Sequence, residues 1–209
     1  MSYGMRTTLM VGACALVVIT TAACGATSTT APTSSNATAG QPSASGSPSA
    51  CANPQVNAAT SPVTHLALTV SDLPSGGPSF AQIGDGKMHN TVNTDQRGFA
   101  NAANTYRIED DVILDASTQT ATADYPQLRD AAKTQFSSIT STSTPSTLGC
   151  QADEFVGKTV NGYSQVGLAF QDGDVIVVVL LVNSAAPVDP AFAEAVATAQ
   201  DQKIVAAAN

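Results

Sequence analysis

The stretch Gln165-Val166-Gly167-Leu168-Ala169-Phe170-Gln171-Asp172-Gly173-Asp174-Val175-Ile176-Val177-Val178-Val179-Leu180-Leu181-Val182 decides the fold. In its first half Val166, Leu168 and Phe170 alternate with Gln165, Gly167 and Ala169, the period-2 pattern of a strand. Asp172-Gly173 supplies hairpin turn chemistry, because Gly adopts the positive φ that tight reversals need. Val175 to Val182 is apolar throughout and largely β-branched. Such a strand belongs at the centre of a sheet, covered on both faces, or covered on one face with a cavity on the other.

Working outward, Asp124 is expected to cap a helix with Pro126 in its first turn and a stripe of Tyr125, Leu128, Ala132, Phe136 and Ile139. The Ser/Thr run from Ser137 to Thr147, with Pro145, then reads as a surface loop. Val112, Leu114 and Ala116 alternate with Asp111, Ile113 and Asp115 as a strand. Before it, Thr94 or Asp95 can cap a helix carrying Phe99, Ala102, Ala103 and Tyr106 at i, i+3, i+4 and i+7. Leu66, Leu68 and Val70 alternate with His65, Ala67, Thr69 and Ser71 as a first strand, ended by Asp72-Leu73-Pro74-Ser75-Gly76-Gly77-Pro78. Downstream, Asp189-Pro190 starts a helix with Phe192, Val196 and Ala199. Strand, helix, strand, helix, hairpin, helix describes an α+β domain over residues 64–209, an antiparallel sheet with helices packed on it. No internal repeat interrupts this order.

Two segments precede that domain. Met1 to Arg6 carries one positive charge, Thr8 to Ile19 is apolar, and small residues follow, which is the anatomy of an export signal over residues 1–23. The apolar run is shorter than the roughly 20 residues needed to span a bilayer. Thr21-Ala22-Ala23-Cys24-Gly25 resembles the bacterial lipobox, with Thr21 where Leu is usual. That resemblance implies lipidation of Cys24 and cleavage just before it. Residues 24–63 are Ala, Ser, Thr, Pro and Gly without charge and are expected to form a disordered tether, which its composition would also suit to O-glycosylation.

Of four cysteines, Cys14 falls in the signal and Cys24 in the lipobox. Cys51 and Cys150 remain, and in an oxidising compartment they are expected to form one disulfide. No Cys-x-x-Cys suggests redox chemistry, and no Cys or His neighbours give metal-ligand spacing.

The charge balance is 8 basic to 16 acidic residues, which argues against a nucleic-acid partner, since phosphate binding needs clustered Lys and Arg. His65 and His89 are the candidate neutral-pH bases, but no Gly-x-Ser-x-Gly elbow accompanies them and no catalytic residue is assigned. Arg107-Ile108-Glu109-Asp110-Asp111, with Asp115, is expected to mark a solvated turn between helix and strand. A Ca²⁺ site is the alternative for those carboxylates. Asp172-Gly173-Asp174 reads as a hairpin tip, and Gly84-Asp85-Gly86 lacks the context of a phosphate loop. No metal or cofactor is expected. The aliphatic core is expected to pack solidly, whereas a carrier would need a lipid-sized cavity.

The whole pattern resembles the secreted lipoproteins of actinobacteria, including mycobacteria. Asp72-Leu73-Pro74-Ser75-Gly76, the later helices and the Asp189-Pro190 helix also resemble the extracellular sensor domains related to those of mycobacterial receptor kinases, over about residues 60–207. Those domains carry two disulfides where this chain has cysteines for one. The resemblance implies ligand binding or sensing without catalysis, on a domain held by its lipid to the outer face of the cell membrane. The favoured function is a non-catalytic domain that binds or senses a small or lipidic ligand, which predicts a cavity between sheet and helices; the alternatives are an interaction module for a membrane or cell-wall protein complex and, least favoured, an exported hydrolase.

Overall fold

The expected hairpin sits at the middle of the molecule. In a computed structural model that describes Val56, residues 62–86 and residues 93–208, the strands are β1 (Phe80–Gly86), β2 (Thr94–Asn101), β3 (Tyr106–Leu114), β4 (Ser138–Ser143), β5 (Gln151–Lys158), β6 (Ser164–Asp172) and β7 (Val175–Asn183). The helices are α1 (Val63–Leu66), α2 (Thr118–Lys133) and α3 (Pro190–Ala208), with a 3-10 turn at Val70–Asp72. All strands join one antiparallel sheet in the order β1-β2-β3-β7-β6-β5-β4. The described residues belong to one compact unit, Ser45–Asn209. The signal segment, Cys24, nearly all of the tether, Cys51 and His89 lie outside them.

β7 is fourth of the seven strands, and its two faces enter two cores. Val175, Val177, Val179 and Leu181 pack with Val166, Leu168 and Phe170 of β6, with Ile108, Val112 and Leu114 of β3, and with Val196, Ala197 and Ile204 of α3. Ile176, Val178 and Leu180 pack on the opposite face with Ala169 and with Ala121, Tyr125 and Ala132 of α2. Alternation sends successive side chains to opposite faces, so a continuously apolar strand needs a helix on each side. Each buried Val, Leu or Ile contributes about 1.5–3 kcal/mol relative to exposure. Close approach on the α2 face depends on Gly167, where a Cβ would fall 2.8 Å from Leu180 Cδ2 and 3.1 Å from Phe136 Cζ.

Several expectations are corrected. Residues 94–106 form no helix: β2 and β3 are a hairpin whose turn is built by Asn101, its Oδ1 accepting from the amides of Thr105 and Tyr106 at 2.9 and 3.1 Å. Asn104 takes a left-handed φ of 55° there. Ala102 and Ala103 are exposed at its tip, and β2 finds partners on both sides, so pairing overrides a helical spacing that rested on small residues. Residues 65–71 form no strand but α1 and the 3-10 turn, for reasons given below. Phe80–Gly86, with the Gly84-Asp85-Gly86 stretch, forms edge strand β1. The Ser/Thr run is edge strand β4, exposed at every position. Residues 151–158, whose sequence shows no clear period, form β5. The central helix starts at Thr118 under a Ser117 cap, the Ser117 Oγ accepting from Thr120 N at 3.2 Å. Pro126 therefore falls inside that helix, Phe136 follows it, and Ile139 lies on β4.

Candidate functional site

Burial of charge, not exposure of it, distinguishes this domain. Tyr106, Ile108, Asp110, Val112 and Leu114 alternate as the buried face of β3. Asp110 is fully buried among them, and its Oδ2 accepts from Leu68 N at 2.9 Å. Arg97, paired with Asp110 in the β2–β3 register, donates to Leu68 O at 2.9 Å, Thr64 O at 2.5 Å and the Asp95 carboxylate at 3.1 Å. From α3, Gln200 donates to Leu66 O at 2.7 Å. The carbonyls of Thr64, Leu66 and Leu68 and the amide of Leu68 thus find partners on side chains of β2, β3 and α3 instead of on a neighbouring strand, which is why the alternation does not produce one. Val63, Leu66 and Leu68 enter the core in the same step.

These carboxylates correct the expected solvated turn. Burial pushes Asp110 up to about 7, opposed by the bond from Leu68. Burial and then the neighbouring Glu109 push Asp111 up to about 7. Near neutrality both hold a proton part of the time. Among the described residues, one oxygen of each lacks a hydrogen-bond partner, as suits a group that is partly an acid and not a permanent anion.

A second set surrounds the β6–β7 turn, where Gly173 has φ 59°, so the hairpin tip is as expected but its acids are buried. Burial and then Asp201 push Asp172 up to about 7. Burial and then Asp124 push Asp115 up to about 6. The Asp174 Oδ1 accepts from the buried Val56 N at 2.9 Å, fixing where the chain from the N-terminus joins the domain. Beside this turn, Cys150 N donates to Gln171 O at 2.8 Å, and Gly149 takes φ 50°, with a Cβ excluded by Gln171 O at 2.1 Å. The Cys150 Sγ lies 3.2 Å from the same Gln171 O.

The remaining features are few. No group of three or more His, Cys, Asp or Glu among the described residues could hold a metal ion, so the Glu109–Asp115 carboxylates are not gathered for Ca²⁺. His65 is exposed on α1. A groove of about 530 Å³ runs along the outer side of α3 between Asp72, Pro74, Glu194, Ala195, Thr198 and Gln202. It lies outside the helix–sheet interfaces. Asp72 there is held below its ordinary value: partial burial raises it, but bonds from Lys203 and Thr69 outweigh that. No described helix is long and apolar enough to cross a membrane. No protein-family model matches the chain, and no curated protein matches it.

Sequence reasoning passed over Arg97 and Gln200 and misread Asp110. The usable signal was the period of two running back from Val112 through Asp110 to Ile108, which places an acid on an inward face.

Proposed function

We propose that this chain is a lipoprotein of the outer cell envelope, anchored through Cys24, whose domain acts by surface contact and neither catalyses nor encloses a ligand. The observation that carries the reading is that both helix–sheet interfaces are filled by contacting side chains, with β7 buried on each face. A carrier of lipidic ligands would need that space empty.

The attachment of Val56 beside Cys150 supports a Cys51–Cys150 disulfide. Four residues separate Cys51 from Val56, so five residue steps span at most about 18 Å at full extension, and Asp174 lies across the β6–β7 turn from Gln171, to which Cys150 bonds. The pairing would staple the start of the domain to its sheet. Closing a loop of about 100 residues contributes at most about 4–5 kcal/mol on the chain-entropy model.

Intact mass measurement of the exported chain, before and after reduction, tests both parts. The expected chain begins at Cys24, carries a diacylglyceryl mass that Cys24→Ser abolishes, and gains two protons on reduction. A chain beginning elsewhere without lipid overturns the anchor. A discrete small-molecule adduct surviving in native spectra would favour the carrier reading.

A further inference from the structure

Residues 62–73 lie across the seam between β3 and α3 without joining the sheet. Val63, Leu66, Ala67 and Leu68 are buried there, in one cluster with Ile108, Val112, Val196 and Ile204. Backbone bonds within the segment are local: His65 N to Pro62 O, Asp72 N to Thr69 O and Leu73 N to Val70 O. Side chains from other elements hold it to the domain. Asp110 of β3 takes the Leu68 amide, Arg97 of β2 the carbonyls of Leu68 and Thr64, Gln200 of α3 the Leu66 carbonyl, and Lys203 of α3 the Asp72 carboxylate at 2.6 Å. A segment held in this way opens more readily than a mid-sheet strand, because no ladder of backbone bonds has to break. Two of its anchors are also incompletely satisfied. Asp110 and Gln200 are fully buried, and Asp110 Oδ1 and Gln200 Oε1 have no hydrogen-bond partner.

We infer that residues 62–73 are a proton-operated strap, closed over the β3–α3 seam while Asp110 keeps its proton and lifted from it when that proton is lost. The neutral acid needs no counter-charge in the seam, and its Oδ2 still accepts from the Leu68 amide. The anion in the same place has that donor and no water, so lifting the strap, which admits water, stabilises it. The charges facing Asp110 do not cancel this preference. Burial dominates and the Leu68 bond opposes it; then Asp111 on the same strand and Asp95 on β2 disfavour the anion, while Arg97 on β2 favours it. On β7 the residue paired with Asp110 is the apolar Val179. From α3, Gln200 is neutral and Lys203 is engaged with Asp72 of the strap, and His65 of the strap is exposed. Val56 is held by Asp174 before the strap, and β1 follows it, so the strap lifts as a loop closed at both ends and uncovers apolar side chains of the seam. The inference does not depend on the anchor proposed above.

Opening that releases a proton has a fixed pH signature. With Asp110 carried from 3.8 up to about 7 in the closed state, the open fraction rises about fiftyfold between pH 5 and pH 7 and only about twofold above that. Hydrogen exchange of the full chain, read amide by amide at pH 5, 6 and 7 and divided by the intrinsic rate at each pH, tests it. The Leu68 amide should lose about fiftyfold in protection over this range. It should also stay at least about tenfold less protected than the amides of Val177 and Val179 on β7, which open only with the whole domain. Asp110→Asn should hold the change at Leu68 below about threefold, and Asp172→Asn, on the β6–β7 turn, should leave the fiftyfold change in place. If Asp110→Asn does not fold, the parent chain and Asp172→Asn decide the matter. Leu68 protection equal to that of β7 at every pH, a change in the parent below about threefold, or a fiftyfold change that survives Asp110→Asn or vanishes in Asp172→Asn, overturns the proposal.

Discussion

Replacing Asp110 by Asn probes the most consequential burial in the domain. Asp110 is completely inaccessible, and burial carries its carboxyl from an ordinary 3.8 up to about 7. Because the folded value is the higher one, the folded state keeps a proton through pH 4 to 7 that the unfolded chain has released. Stability from this group is therefore complete below about pH 4, falls as pH rises to 7, and stays low above it. About three pKa units correspond to roughly 4 kcal/mol at alkaline pH. Asn keeps an oxygen for the Leu68 amide and has no charge to bury, so Asp110→Asn should raise stability by about 2–4 kcal/mol at pH 9. At pH 5, where Asp110 is already protonated, the change should be within about 1 kcal/mol. The chain has no Trp, so urea unfolding followed by far-ultraviolet circular dichroism at pH 5, 7 and 9 is the suitable assay. Asp111 and Asp172 rise to about 7 and Asp115 to about 6, so the parent domain should lose stability over this range more steeply than one group dictates. A parent domain more stable at pH 9 than at pH 5, or a variant with an unchanged pH slope, would refute the reasoning.

Two further outcomes follow from the packing. Gly149→Ala should destabilise by more than about 2 kcal/mol, because φ is 50° and the added Cβ meets Gln171 O at 2.1 Å; thermal unfolding measures it, and a neutral substitution would mean that the turn beside Cys150 can shift. Arg97→Ala removes the donors to Leu68 O and Thr64 O and should cost about 2–4 kcal/mol, with residues 62–73 becoming the first site of limited proteolysis.

The β6–β7 hairpin was legible because its pattern has few alternatives. The strand at Val112–Leu114 and the helix from Pro190 were read from equally local signals. The failures share a physical cause. Phe99, Ala102, Ala103 and Tyr106 satisfy a helical period, but Ala is indifferent to packing, and pairing with β1 and β3 decided the matter. β4 has no apolar face to reveal it, since both of its faces are exposed and only β5 makes it a strand. Leu66, Leu68 and Val70 alternate like a strand, yet Asp110, Arg97 and Gln200, distant in sequence, take up the backbone groups that a strand partner would need.

By itself, then, the sequence determined where the apolar runs must be buried, that the domain is α+β, and that an uncharged stretch separates a signal-like N-terminus from it. These follow from local period and composition. Tertiary structure alone decided which strands flank β7, which carboxylates leave water, and which edge stays open. Each depends on contacts between residues far apart in the chain, and the energy of a buried charge or an unpaired strand edge belongs to its surroundings and not to its own position in the sequence.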